Sequence, residues 1–296
     1  MNEYRITVCT PTFNRAYIIA KLFSSLKAQS FTNFEWLVVD DGSTDETEAL
    51  FSSWLLEVLP FSIHFCKQDN GGKHRAVNRG LQLAKGEIFF VVDSDDQLTP
   101  DALEKIDSWF FELPRDRQLC GITANKGFSL YDTANHIFPH KYIDKTLLEM
   151  TSYRESGLLV LSGERAIAFY TEMHRHYLYP EFEGENFITE AVVYNRMARD
   201  GYKVRFFNDI IWIYEYQDDG LTKAGKKLFI NNPRGYGLWL REKAEFTNVS
   251  WYQKLKMYYT FTCDLSAYYD ADLISESIGA PRWLVRGILL CRTLLR

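Results

Sequence analysis

Four short apolar runs, each separated from the next by a segment of helical spacing, restrict this chain to a layered α/β fold. The runs cover residues 5–10, 34–39, 62–66 and 87–92. The last is almost continuously apolar from Ile88 to Val92, the pattern of a strand buried on both faces. Between the runs, Ile18, Leu22 and Leu26 recur at helical spacing within 17–29. Ser43 and Glu46 form a capping-box pattern that predicts a helix start, and 74–85 reads as a helix closed by Gly86. The alternation implies a mostly parallel sheet with helices on both faces, a Rossmann-like arrangement. Ligands of such sheets bind beyond the carboxyl ends of the strands. Polar clusters at 10–15, 40–43 and 93–96 all follow strands and so fall on that one rim.

Beyond residue 115 the pattern loosens. Strands are predicted at 119–124, 202–207 and 210–216, and a helix within 184–199 that Gly201 stops. From 231 onward the chain reads helical and aromatic. The expected organisation is therefore a 1–220 nucleotide-sugar-binding and catalytic domain followed by a helical extension over 221–296. A hydrophobic fraction of 46% over 296 residues supports a packed core. The net charge of −5 argues against a general nucleic-acid binder. Cys9, Cys66, Cys120, Cys263 and Cys291 are odd in number and scattered, which points away from a disulfide framework or zinc site and toward a reducing, cytoplasmic setting. The residues before Ile6 form no apolar signal region, and no stretch of 18 apolar residues exists to span a membrane.

Asp93-Ser94-Asp95-Asp96 is the cluster with the clearest chemistry. Three carboxylates in four residues repel one another unless a cation or strong donors offset them. Oxygen ligands of this type suit Mg²⁺ or Mn²⁺ bridging phosphate oxygens. Helix capping is the alternative, but a cap needs a single acid. Asn70-Gly71-Gly72-Lys73-His74 lacks the Walker A spacing. Its backbone amides at a helix start, with Lys73 and Arg75, can still cradle phosphate; a plain turn with a solvated basic face is the competing reading.

Taken in order, these pieces resemble the family 2 glycosyltransferases of the GT-A fold over residues 4–220. The segment Thr10-Pro11-Thr12-Phe13-Asn14-Arg15 is similar to the family's opening nucleotide-binding turn. Val39-Asp40-Asp41-Gly42-Ser43-Thr44-Asp45 is similar to the second motif, whose Asp, here Asp41, contacts the donor base. Asn70-x-Gly72 and Ala76-x-Asn78-x-Gly80 match the third motif. That motif usually carries Arg just before its Asn, whereas this chain has Val77, so Lys73, Arg75 or Arg79 is expected to supply the charge. Asp93-Ser94-Asp95-Asp96 looks like the D-x-D segment, with Asp95 and Asp96 as metal ligands and Asp93 and Ser94 at the nucleotide.

The resemblance implies a metal-dependent, inverting hexosyltransferase that uses a nucleotide sugar, UDP by default, in bacterial polysaccharide or glycolipid synthesis. It places a catalytic acid at the start of a late helix, with an Arg six residues on. Glu190 and Arg196 fit that spacing, with Glu185 and Glu183 as nearby competitors. The base removes a proton from an acceptor hydroxyl on a saccharide or lipid-linked saccharide. Loops over 127–155 are expected to shape the donor and acceptor pockets. A sugar nucleotidyltransferase and a non-catalytic nucleotide-sugar or carbohydrate-binding protein are the rivals.

Residues 277–296 contain no acid but carry Arg282, Arg286, Arg292 and Arg296. On a helix starting at Pro281 these arginines share one arc, with Trp283, Leu284, Ile288, Leu290, Leu294 and Leu295 on the other side. This pattern predicts an element lying in an anionic membrane surface, hence a peripheral protein on the inner face of the plasma membrane; a terminal helix packed on the domain is the alternative.

Overall fold

The structure, a computed structural model, describes residues 3–114, 118–217 and 220–294. They form two compact units, one of residues 3–178 with 200–217 and one of 179–199 with 220–294. The sequence reading puts 1–220 in one domain. In the structure 179–199 groups instead with the C-terminal helices, because its contacts are made with them.

In the first unit the alternation expected from the apolar runs is present. It comprises β1 (Tyr4–Thr12), α1 (Ala20–Lys27), β2 (Phe34–Asp40), α2 (Thr47–Trp54), β3 (Ser62–Lys67), α3 (Lys73–Leu83) and β4 (Gly86–Val91). After these come β5 (Gln97–Leu98), α4 (Ala102–Glu112), β6 (Leu119–Gly127), β7 (Ile143–Lys145), β8 (Arg165–Tyr170) and α5 (Thr171–Arg175). The chain passes through α6 (Ala191–Arg199) of the second unit and returns as β9 (Lys203–Ile213).

The sheet order is β3-β2-β1-β4-β8-β6-β9-β5, with β7 paired to β9. Strands β3, β2, β1 and β4 are parallel. Strand β8 enters antiparallel between β4 and β6. The expected pair of strands over 202–207 and 210–216 is a single strand, β9, whose register to β6 shifts between Thr123 and Asn125. The predicted Ser43–Glu46 capping box does not form. The Ser43 hydroxyl instead accepts from the Asn14 amide at 2.8 Å, and Asp45 holds both the amide and hydroxyl of Thr47 at the start of α2.

Buried aromatics fix the packing of α1 and α2 on the parallel strands. Phe23 stacks on Trp54 at 4.2 Å, and Trp36 packs against both Phe23 and Phe51. The Trp36 indole N–H donates to Thr10 Oγ1 at 3.0 Å, so the one polar atom of that ring is satisfied inside the core.

The second unit comprises α6, α7 (Leu221–Ile230), α8 (Pro233–Phe246), α9 (Trp251–Leu265), α10 (Ala271–Ile278) and α11 (Arg282–Leu294). Pro233 sits in the first turn of α8, where its missing N–H is harmless. The core gathers Tyr258, Phe261, Leu265, Ile274, Ile278 and Val285. Helix α11 packs into it through Leu284, Val285 and Leu289, and Arg292 turns inward to donate to the Cys263 carbonyl at 2.7 Å. The arc of four arginines expected from the sequence is therefore split. Arg282 and Arg286 face solvent, Arg292 is part of the α9–α11 packing, and Leu295 and Arg296 lie outside the described residues. No helix among the described residues is long and apolar enough to cross a membrane.

Candidate active site

The ends of β1, β2 and β4 and the start of α3 converge in the first unit. Asn14 adopts a left-handed backbone, φ 53°, which Asn tolerates better than most residues. Its side-chain oxygen accepts from the Thr44 amide at 2.8 Å, so the turn after β1 and the turn after β2 are tied together. Thr10 and Thr12 are buried within β1, and Pro11 lies between them in register with Val39.

Asp41 clamps the glycine loop. Its Oδ1 accepts from Gln68 Nε2 (2.8 Å) and the Gly71 amide (3.0 Å), and its Oδ2 from the Gly72 amide (2.7 Å). Asn70 closes the arrangement by donating to the Asp41 carbonyl at 2.9 Å. Both carboxylate oxygens of the residue expected at the donor base thus hold the loop that opens α3. Gly72, φ 94° and ψ 156°, occupies backbone space that side chains avoid.

Helix α3 then sorts the three candidate cations. Val77, at the position where the resembling family carries Arg, is buried. Arg75 folds back onto the Gly71 carbonyl at 2.7 Å, and Arg79 reaches Gln82 on an exposed surface. Lys73 reaches the acid cluster, with Nζ 2.7 Å from Asp93 Oδ1. Asn78 is buried on the inner side of the helix.

The acid cluster follows β4 directly. Lys126, at the end of β6, comes within 3.9 Å of Asp93 and 4.0 Å of Asp96, and lies 3.6 Å from the centre of the Trp212 ring. The Trp212 indole N–H donates to Asp96 Oδ2 at 2.7 Å. Burial alone would raise the pKa of Asp93, but Lys73 and Lys126 hold it below the usual carboxylate range. Burial and the Asp93 charge raise Asp95, against weaker pulls from Arg15 and Lys73. Burial and then Asp93 push Asp96 up to about 7, with Lys126 and Trp212 opposing. Ser94 is buried within the turn.

Lys126 and Trp212 were not singled out in the sequence. A lone Lys at a strand end and a Trp in an apolar strand carry no signal of chemistry until β6 and β9 bring them to the β4 terminus.

The acids after β4 are oxygen donors of the kind that hold divalent cations. Burial first, and then the Asp93 charge, raises the proton affinity of Asp95 and Asp96. No three His, Cys, Asp or Glu side chains converge in metal-holding geometry among the described residues. One or two carboxylates completed by phosphate oxygens is the usual way Mg²⁺ is held, and it requires no all-protein cage.

The two carboxylates expected as catalytic bases both lie in the second unit. Glu185 is buried and caps α8, its Oε1 accepting from the Arg234 amide (2.7 Å) and its Oε2 from the Gly235 amide (2.9 Å). Asn232 returns the arrangement, its side-chain oxygen accepting from the amides of Asn186 and Phe187. Glu190 is half-buried just before α6, with the Tyr194 hydroxyl 3.4 Å from its Oε2. Arg196 does not serve Glu190. It pairs with Glu242 of α8, with Nη2 2.6 Å from Oε1.

Residues 7–163 match the family described as Glycosyl transferase family 2. Among curated proteins, the chain is 23% identical to the glycosyltransferase GlyG of Streptococcus pneumoniae, over 74% of this chain and 73% of that protein. It is 34% identical to an uncharacterized glycosyltransferase of Mycoplasma pneumoniae over 36% of this chain, spanning only 37% of that relative's length. It is also 34% identical to the poly(ribitol-phosphate) beta-N-acetylglucosaminyltransferase TarS of Staphylococcus aureus, over 34% of this chain and 18% of TarS. Among solved structures, TarS 1–349 in complex with UDP-GlcNAc superposes with a TM-score of 0.60 at 16% identity, covering 96% of this chain and 90% of that one. A mannosyltransferase from Pyrobaculum calidifontis in complex with GDP-Man and Mn²⁺ gives 0.57 at 17% identity, covering 99% and 80%. These likenesses carry the GT-A fold.

Proposed function

Because the chain belongs to glycosyl transferase family 2, we propose that it transfers a hexose from a UDP-sugar to a saccharide or lipid-linked saccharide hydroxyl, with inversion, in bacterial polysaccharide or glycolipid synthesis. The observation that carries this reading is the convergence of Lys73, on a glycine-loop helix, with the acids that end β4. The Gly71 and Gly72 amides are taken by Asp41, so the positive end of α3 is the part that suits a diphosphate. Lys73 and Lys126 add positive charge where negative charge builds on the leaving group. UDP is taken as the nucleotide by default, as in the TarS structure solved with UDP-GlcNAc, and a GDP-sugar, as in the mannosyltransferase structure, is the alternative.

Asp95 is the first ligand assigned to Mn²⁺ or Mg²⁺, with Asp96 second. When bound, the cation supplies charge neutralisation on the diphosphate. Asp93 and Ser94 seat the nucleotide. Thr10 to Arg15 and Asp41 shape the base side, where Asp41 acts through the loop it clamps. In the reaction the acceptor oxygen bonds to the anomeric carbon. The bond from that carbon to the diphosphate breaks, and UDP leaves with the electron pair. The hydroxyl proton passes to a carboxylate, assigned to Glu190 because Glu185 is committed to α8. The test is donor turnover with UDP-GlcNAc and Mn²⁺. Asp95→Ala is expected to abolish transfer and metal-dependent UDP binding while its thermal melt stays as in the wild type; full activity in that variant, or in excess chelator, defeats the assignment.

A further inference from the structure

The second unit carries an apolar surface that its own core does not use. On α9, Tyr258, Phe261, Thr262 and Leu265 are buried. At about 100° per residue, Trp251, Leu255, Tyr259, Tyr252 and Lys256 occupy one outward arc. Trp251 is 74% exposed and Tyr252 67%. On α11 the outward arc holds Arg282, Arg286, Leu290, Trp283 and Leu294, with Trp283 74% exposed. Helices α9 and α11 pack on each other, with Arg292 of α11 donating to the Cys263 carbonyl of α9 at 2.7 Å.

The exposed charges that α9 and α11 themselves contribute are positive. Helix α9 has no acid before Asp264, and Asp264 is largely buried against Lys226 at 2.6 Å. Helix α11 has none at all. Lys256 is exposed on the outward arc of α9, whereas Lys254 falls on the side of buried Phe261. Arg282 and Arg286 share the exposed Asp272 at 3.5 Å, a pairing too solvated to cancel two cations. Over the whole chain the net charge is −5, so the positive potential is local.

We infer that the α9–α11 face seats on an anionic phospholipid surface, with Trp251, Tyr252 and Trp283 at the headgroup level and Lys256, Arg282 and Arg286 on lipid phosphates. Protein interfaces deplete lysine, while Trp and Tyr flanked by Lys and Arg are the composition of interfacial membrane elements. The surface is broader than the terminal arginine helix the sequence suggests, since α9 contributes most of its aromatic residues. The inference does not depend on the transfer chemistry.

The experiment is co-sedimentation of the full chain with phosphatidylglycerol vesicles against phosphatidylcholine vesicles, across a salt series. Binding is expected to the former only, and to weaken as salt rises. Lys256→Glu with Arg286→Glu should lower partitioning at least about 25-fold, taking about fivefold per cation. Trp251→Ala with Tyr252→Ala should also release the protein from vesicles. All four residues are exposed, so thermal melts should not move. Failure of the wild type to bind phosphatidylglycerol overturns the inference, as does unchanged binding in either variant. So does wild-type self-association in sedimentation velocity that Trp251→Ala with Tyr252→Ala dissolves, which would make the face a copy-to-copy contact. Sugar transfer to a water-soluble acceptor should be equal in wild type and variants. Loss of vesicle binding with transfer intact, or the reverse, therefore separates this inference from the transferase reading.

Discussion

Replacing Glu185 should unfold more than it slows. Its carboxylate is 5% exposed and receives two backbone amides of the α8 first turn at 2.7 and 2.9 Å. Charged hydrogen bonds contribute about 1.5–3 kcal/mol each, and removing the acceptor strands buried donors. The favourable position at a helix N-terminus adds up to about 2 kcal/mol. Glu185→Ala is thus expected to destabilise by about 3–5 kcal/mol. Glu185→Gln, which keeps one acceptor oxygen, should lose about 1.5–3 kcal/mol. At roughly 2–4 °C per kcal/mol for a chain this long, the alanine variant should melt about 6–20 °C lower. The assay pairs thermal denaturation with initial rates measured well below either melting point. Glu185 variants should show the large shift and near-normal turnover per folded molecule. Glu190→Gln should barely shift the melt yet lose about 10²–10⁴-fold in kcat, the span of a general base. A Glu185→Gln protein that melts like wild type but is inactive would refute the division of labour between the two acids.

Three further outcomes follow from the geometry. Lys73→Met should reduce kcat/KM for the donor about 10²–10³-fold, the scale of removing one preorganised charge donor, as read by steady-state kinetics. Gly72→Ala should weaken UDP binding in calorimetry and destabilise by about 1–3 kcal/mol, because φ 94° with ψ 156° strains any side chain. His174 is buried against Phe89 and Phe169, and burial pushes its pKa down to about 3 from 6.5. The unfolded chain therefore takes up a proton below pH 6.5 that the folded one refuses until near pH 3. Stability from this residue is full above pH 6.5 and falls by about 1.4 kcal/mol per pH unit below it. Denaturant melts of His174→Gln should be flatter between pH 6.5 and 4.5 than those of the wild type.

The parallel half of the sheet was readable because β1, β2 and β4 are largely buried apolar runs with a polar break after each. Ile88 to Val92 had to end at the rim, and Asp93 to Asp96 with it. Strand β8 was not readable. Its Arg165 is a buried charge whose Nε and Nη2 donate to the Leu161 and Val160 carbonyls, a loop-bracing role with no pattern in the sequence. The Ser43–Glu46 spacing misled for a related reason, since Asp45 holds the amide and hydroxyl of Thr47 while the Ser43 hydroxyl accepts from Asn14. Lys73 could be listed among three cations but not chosen. Only the distance to Asp93 separates it from Arg75 and Arg79. Lys126 and Trp212 depend wholly on the pairing of β6 and β9.

The route of the chain bears on how the protein is made. Strand β9 is the partner of β5, β6 and β7, yet it is synthesised after residues 179–199, which belong to the other unit. Strands β1 to β4 can pair as soon as they leave the ribosome. Strand β7 finds its partner only when residues 204–206 have been made, and β5 only when 212–213 have. The helix α6 must in turn wait for α8 and its Glu242 before Arg196 has its ion-pair partner. A nascent chain halted between 178 and 203 therefore presents an unfinished sheet edge at β6, the kind of surface that chaperones shield and that aggregates when they do not.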